Sequence, residues 1–566
     1  MLRLDRPCAE ETLAPAARAA IAEWAARTWN YFETFCKEEQ GFLPPDNFQE
    51  APLGVTVNNT SPTNIGMAML STVAAHLLGM IDVQCLILRL ERMAERIEDA
   101  EKWNGHLYNW YALEPFVPLE PRYVSTVDSG NLAACLLACE SALLSFGTKE
   151  AETLAGRLRA LAEGMDFRAL YDPKKKLFHI GFDCVSGTLT KSWYDLLASE
   201  ARLTSFTAIA LHQVDAEHWQ NLSRLLVDAD GGRTLISWSG TMFEYLMPAL
   251  LTGMVPGSLL DESCMAAVRA QRAAVPAGTP WGISESGYYA FDRAMFYQYR
   301  AFGVRAVALC PARERERVIA PYASMLALMA APRAAVENLM RLEALGALGE
   351  YGFYEALDFT PQRLRAEVPF ETVKSYMAHH QGMSLCAAAN ALTDGALAKC
   401  FLRVPEVRAM SLLLAEKRPS LALTIRAFRS ASTGEEKPLP RRESKPRVVT
   451  RLGTVPETQL LTNGRYTVFL TDHGLSYSRC GETLLTRFRP DPLRADSGIH
   501  FLVRDGGQVW SLAGAPANTQ ADAYRVTLEP YKVTYERRDG SISSRLAICV
   551  SPRHDGEIRH LILKND

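Results

Sequence analysis

The 566-residue sequence lacks an excess of charge of either sign: 61 Lys and Arg stand against 64 Asp and Glu, a formal net charge of −3. Neutralising nucleic-acid phosphates needs cationic side chains in surplus, so a generally basic nucleic-acid binder is excluded. There is no CxxC pair. The twelve cysteines are scattered singly from Cys8 to Cys549, and the closest two, Cys135 and Cys139, lie one helical turn apart in an apolar run. That pattern predicts reduced, buried small hydrophobes of a cytosolic compartment, not a disulfide frame or a zinc site. Met1 to Glu11 has no apolar core of a signal peptide, and no charge-free apolar run reaches the roughly 18 residues a membrane span needs. GxSxG, GxxxxGKS/T and GxGxxG are missing too, which leaves hydrolase-elbow, P-loop and dinucleotide readings without support.

What is present is a core-forming composition, with 48% hydrophobic and 22% charged residues, typical of a globular protein. From about Pro15 to Glu416 apolar residues recur at three- and four-residue intervals. Examples are Ile21, Trp24, Ala25, Trp29 and Phe32; Met67, Leu70, Val73, Ala74 and Leu77; and Leu132, Cys135, Leu136 and Cys139. This spacing predicts about twelve to fourteen helices on a shared core. Between them, every few dozen residues, come segments rich in Gly, Pro and Trp: 58–66, 103–131, 192–202, 237–248, 279–303, 351–359 and 374–384. A two-helix unit whose loops gather at one end generates such a rhythm, as in an α/α barrel.

Residues 417–447 break the pattern with SASTGEEKPLPRRESKPR, read as a solvated linker and not a phosphate-binding patch, because no aromatic residue interleaves its cations. After Val448 the period becomes two. Tyr466–Leu470, Ile499–Val503, Tyr524–Leu528, Tyr531–Tyr535, Leu546–Val550 and Ile558–Leu563 read as strands of an antiparallel sandwich. A sandwich stopping at Asp566 leaves an edge unpaired, so the chain is expected to be a fragment of a longer polypeptide. The expected organisation is therefore mainly α: a helical barrel over 1–416, a linker over 417–447 and a truncated β-sandwich over 448–566.

The segments between the helices set Trp, Tyr and Phe beside Asp, Glu, Asn and His. Aromatic faces cover the C–H side of a pyranose while carboxylates and amides bind its hydroxyls, so the mixture suits a sugar cleft. Candidate platforms are Trp103, Trp110, Tyr111, Trp193, Trp238, Trp281, Tyr288 and Tyr289, each of which alone could equally be core. Cleaving a glycosidic bond takes a carboxylic acid and a second carboxylate. The candidates are Asp128, Asp195, Glu200, Glu244, Glu285, Asp292, Glu355 and Asp358. Glu285 in Trp-Gly-Ile-Ser-Glu-Ser-Gly and Glu355 in Tyr-Gly-Phe-Tyr-Glu have the desolvating neighbours that raise a carboxyl pKa toward that of an acid catalyst, though either could merely cap a helix. His379 and His380 are adjacent and lack zinc-pair spacing; they are expected to bond sugar hydroxyls or loop carbonyls. Neither metal nor cofactor is expected.

With those residues in view, the chain resembles the glucoamylase-like cyclisation region of cyclic β-1,2-glucan synthases, glycoside hydrolase family 189. The matching stretches are TSPTNIGMAMLSTVAAHLLG (60–79), GHLYNWY with PRYVSTVDSGNLA (105–133), WYDLLASEARLTSF (193–206), WSGTMFEYLMP (238–248), PWGISESGYYAFD (280–292), YGFYEALDFTPQR (351–363) and SYMAHHQGMS (375–384). LLTNGRYTVFLTDHGLSYSRCG (460–481) resembles the opening of the family 94 phosphorylase module. One departure is Ala112 in Asn109-Trp110-Tyr111-Ala112, where the usual wording ends in Asp.

The resemblance implies an (α/α)6 barrel that takes linear β-1,2-glucan and closes it into a ring by retaining transglycosylation. It makes Glu285 and Glu355 the catalytic pair, with Glu355 preferred as nucleophile and Glu285 as acid/base. Asp128, Trp193, Glu244, Trp281, Tyr288, Asp292, His379 and His380 would line the cleft. The complete polypeptide would be a larger synthase at the cytoplasmic face of a bacterial inner membrane. Competing readings are an endo-β-1,2-glucanase on the same barrel and a non-catalytic β-glucan-binding module.

Overall fold

In chain order the helices are α1 (Pro15–Phe35), α2 (Pro62–Leu77), α3 (Val83–Asp99), α4 (Thr126–Leu144), α5 (Lys149–Glu163), α6 (Arg202–Ala210), α7 (Glu217–Asn221), α8 (Met242–Leu246), α9 (Ala249–Thr252), α10 (Leu259–Ala273), α11 (Pro321–Ala327), α12 (Pro332–Ala344), α13 (Ala378–Leu392), α14 (Ala396–Arg403) and α15 (Pro405–Met410). The computed structural model describes residues 13–566 except 230–231, 293, 312–315, 366–367, 419–423, 427–445, 454, 488–496 and 553. The chain divides into two compact units, 1–432 and 433–566.

In the first unit the helices are of two kinds. α2, α4, α6, α11 and α13 are buried on nearly every face, whereas α3, α5, α10 and α12 bury one stripe and leave charged residues in water. A helix apolar all round must be surrounded by others. Accordingly α13 packs on α2, α2 on α4, α4 on α6, α8 on α11 and α11 on α13. The Arg202 guanidinium, buried at the start of α6, joins that helix to α8 by donating to the Glu244 and Tyr245 carbonyls. Each sided helix lies against a buried one: α3 on α2, α5 on α4, α10 on α8 and α12 on α11.

Close approach of the buried helices depends on glycine. A Cβ on Gly130 of α4 would sit 1.9 Å from Thr204 Oγ1 of α6, and one on Gly382 of α13 would sit 2.7 Å from Met67 Cβ of α2. α4 is long and apolar enough to cross a membrane, although Asp128 and Glu140 keep it from being charge-free. Its apolar window is 83% buried inside the unit, as a core helix would be.

The second unit stacks a five-stranded antiparallel sheet, in the order 447–449, 523–529, 532–539, 542–550 and 557–565, on a four-stranded one of 458–462, 466–471, 476–480 and 483–484. Val468, Leu470, Val526, Val533, Tyr535 and Ile548 fill the space between them, the inward half of each alternation. The 557–565 strand is a sheet edge, with Ile558, Ile562 and Leu563 exposed. One expected strand is displaced: of Ile499–Val503 only Leu502 and Val503 pair, as part of 502–505 against 508–511. Most of the expected linker lies outside the described residues; within it Thr424–Arg426 adds a parallel strand to Leu226–Ala229 of the first unit.

Candidate active site

The first turns of the buried helices meet. Ser61 caps α2, Ser125 caps α4 and Thr241 caps α8 by accepting the N–H three residues on, and Pro321 opens α11. Bonds between these turns tie the ends together. The Thr63 hydroxyl of α2 donates to Asp128 Oδ1 of α4 at 2.6 Å. His379 Nδ1 of α13 lies 3.1 Å from Asn64 Oδ1 of α2, whose amide donates to Asp46. The Tyr322 ring of α11 stacks on His380 of α13 with centroids 3.7 Å apart. Ser284 Oγ bridges Tyr322 to the Phe243 N–H of α8. Helix N-termini carry partial positive charge and unpaired N–H groups, so this end of the unit favours anions.

Glu355 and Glu285 arrive here from loops. Glu355 stands between the strands Gly352–Phe353 and Ala356–Asp358 and is almost fully buried. Its Oε1 accepts the Gly287 N–H at 2.9 Å, and both its oxygens lie 3.0 Å from His380 Nδ1. Glu285, half-buried, precedes the strand Ser286–Phe291, which forms a hairpin with Tyr297–Arg300. Gly287 pairs with Tyr299 in that hairpin, so the Tyr299 side chain emerges on the face where Gly287 has none. Its hydroxyl comes to 3.5 Å from His380 Nε2.

Electrostatics make the carboxylates one group. Burial raises Glu285 to about 8, helped by the like charges of Glu200, Glu244 and Glu355 against a hydrogen bond from Tyr299. Glu200 rises to about 7 through burial and the charge of Glu244. Burial raises Glu355 to about 7, with the Gly287 N–H and then His379 acting the other way. Both histidines are pushed down to about 3, chiefly by burial. Asp128 is raised by burial against the Ser125 and Thr63 hydroxyls. Tyr194, raised by burial, also feels Glu200, Asp128 and Glu285, so its hydroxyl belongs to the same cluster.

The structure brings Glu285, Glu355, Glu244, Asp128, His379 and His380 together, in parts that differ from those expected. His380 faces Glu355 from inside the protein. Glu244 is the reciprocal half of a Thr241-x-x-Glu244 capping box and also accepts from Ser237 Oγ and Ser239 N. It is a fixed, buried hydrogen-bond acceptor, and that T-x-x-E signature was legible in the sequence.

Four residues are placed elsewhere. Trp281 is core, 4% exposed, with its backbone bonded to Asn338. The Trp193 indole donates to Asp172 and has Lys175 Nζ 3.2 Å above its ring; one residue along the strand, Tyr194 turns to the carboxylates instead, as pleating requires. Tyr288 bonds Gln298 and stacks under Arg363. Asp292 is exposed and builds a turn by accepting the Ala294 and Phe296 N–H groups. Among the other candidates, Asp358 is consumed by Arg363, Asp195 is exposed and Tyr111 is core. Tyr194, Tyr299, Tyr322, Asn64 and Asp46 were not singled out, and only the strand alternation at 193–194 signalled one of them.

Residues 192–405 match the family model described as "Putative glucoamylase", and 445–566 match the Glycosyl hydrolase 94 supersandwich domain. The chain is 34% identical over 669 aligned positions to the cyclic β-(1,2)-glucan synthase NdvB of Rhizobium meliloti. That alignment takes in 96% of this chain and 24% of the synthase, so the chain spans about a quarter of that relative. Among solved structures, an endo-β-1,2-glucanase from Chitinophaga pinensis, in complex with sophorotriose and glucose, superposes with a TM-score of 0.58 at 17% identity, covering 71% of this chain and 99% of that one. An endo-β-1,2-glucanase from Talaromyces funiculosus, in complex with β-1,2-glucan, gives 0.59 at 13%, covering 72% and 91%. These likenesses establish a glucoamylase-like helical fold followed by a sheet unit.

Proposed function

We propose that this chain, similar in sequence to about a quarter of a cyclic β-1,2-glucan synthase, is a glycoside hydrolase-type transglycosylase that closes linear β-1,2-glucan into a ring. The observation that carries the proposal is the meeting of Glu285 and Glu355, two carboxyls of raised pKa from separate loops, tied through Gly287. Glu355, held by an N–H and a ring nitrogen, is the nucleophile. Its carboxylate attacks the anomeric carbon while Glu285, more open to solvent and protonated up to about pH 8, gives its proton to the leaving glycosidic oxygen. In the second step a 2-hydroxyl at the far end of the same glucan attacks the glycosyl-enzyme. Its proton returns to Glu285, and the inverted centre is inverted again.

The buried helices α2, α4, α6, α8, α11 and α13, four of them backed by the one-sided helices α3, α5, α10 and α12, support reading the first unit as an (α/α)6 barrel with this site at its mouth. In the cell the chain would be one part of a larger membrane-associated synthase, working on the cytoplasmic side.

Hydrolysis is the second reading, favoured by the fold likeness to two endo-β-1,2-glucanases; water would then replace the 2-hydroxyl. Incubating the protein with linear β-1,2-glucan and weighing the products decides. Rings are one water lighter than linear chains of equal length. Linear products alone overturn ring closure, and no conversion at all overturns the enzyme.

A further inference from the structure

His380, expected to bond a sugar hydroxyl or a loop carbonyl, instead has both ring nitrogens facing protein side chains. Every polar atom of the ring is directed inward. Nδ1 lies 3.0 Å from both Glu355 oxygens and Nε2 lies 3.5 Å from the Tyr299 hydroxyl. The flat face is stacked on Tyr322, and the backbone carbonyl accepts from Ser384 one turn on. Tyr322 cannot swing away, since its own hydroxyl is held by Ser284 Oγ at 2.8 Å and the Glu285 carbonyl at 2.9 Å.

The geometry points to His380 as a positioning residue: clamped by Tyr322, it donates Nδ1–H to the Glu355 carboxylate and turns a bare Nε2 to Tyr299, so that the ring stands between Glu355 and the hairpin that starts beside Glu285. Burial keeps the imidazole neutral, which leaves one N–H and one lone pair to share between the two neighbours. A donor aimed at both oxygens fixes the carboxylate plane and favours its ionised form. The other groups facing Glu355 are the Gly287 N–H, His379, Glu285 and the Tyr299 and Tyr322 hydroxyls.

The inference rests on Glu355 acting as the nucleophile, so its test has one arm on activity and one that needs none. In His380→Ala, turnover of linear β-1,2-glucan should fall about 10–100-fold with KM little changed, and the acid limb of the kcat/KM profile should move up by about one pH unit, because Glu355 loses a donor to its charged form. His380→Asn, whose amide can restore the Nδ1–H donor, should bring the limb back. An acid limb that stays in place in His380→Ala overturns the inference. The second arm is nitrogen NMR of histidine-labelled wild type at about pH 9, with Glu355 ionised, the His380 signal assigned by its loss in His380→Asn. A bare Nε2 and protonated Nδ1 are expected, and the opposite tautomer overturns the clamp even where His380→Ala fails to fold. Wild type inert on glucan but carrying the expected tautomer would sink the proposed function and leave the pairing intact.

Discussion

The backbone N–H of Gly287 donates to Glu355 Oε1 across 2.9 Å, although 68 residues separate the two along the chain. Through that bond the hairpin that starts beside Glu285 is pinned to the other glutamate, and a lost side chain makes it possible: a Cβ on Gly287 would lie 3.2 Å from Glu355 Cγ and 3.3 Å from Val373 Cγ1. Gly287→Ala should therefore displace Glu355 without unfolding the unit. The expected result is a fall in kcat of about tenfold, since small misplacements of a reacting group are costly, with an unchanged circular dichroism spectrum. An unaltered kcat would mean that the contact does not set the nucleophile's position.

Glu285→Gln and Glu355→Gln should each lower turnover of linear β-1,2-glucan by about 10³-fold or more, and the double variant should be little worse than either, because the two act as one unit. Binding of the glucan, followed by calorimetry, should survive. A non-catalytic binding module would leave no turnover for either change to remove.

The three carboxyls raised to about 7 or 8 also set the response to pH. A carboxyl whose folded pKa lies above its ordinary 4.5 holds its proton more tightly when folded, so it adds stability below 4.5 that is lost as pH rises through about 7 for Glu200 and Glu355 and about 8 for Glu285. The melting temperature should fall from about pH 5 to about pH 9, and Glu285→Gln should flatten the upper part of that slope. For catalysis the same pair sets a bell-shaped kcat/KM, with apparent limbs near 7 and 8 that belong to the coupled pair. A melting temperature that climbs across this range would contradict the assigned environments.

Glu244 contributes to both ledgers. Glu244→Gln keeps the shape but removes a charge that raises Glu285 and Glu200; the alkaline limb should move to lower pH. Glu244→Ala leaves Ser237, Ser239 and Thr241 donors without their acceptor and should cost about 1–3 kcal/mol, read by urea titration.

Helix approach is testable apart from the chemistry. Gly130→Ala forces a methyl against Thr204 Oγ1, 1.9 Å from the ideal Cβ position, and should destabilise the first unit by at least about 1–3 kcal/mol. Gly156→Ala, on the outer helix α5 with open space around its Cβ, is the matched control and should be neutral or slightly stabilising.

The amino-acid sequence alone determined what is local. The three- and four-residue rhythm marked α1, α2 and α4, alternation marked the strands after 448, and the motif segments held the carboxyls and histidines that meet. Periodicity reports which face of an element is apolar, a property of a few consecutive residues. Tertiary structure decided what each polar group faces. It sent Trp281 into the core and Trp193 to Asp172, turned Tyr194 toward the carboxylates, made Glu244 a capping acceptor and set His380 behind Glu355. Those outcomes depend on groups that are distant in sequence and become neighbours only when the helix ends gather, and a carboxyl's pKa follows from those neighbours and from lost water, not from its own segment.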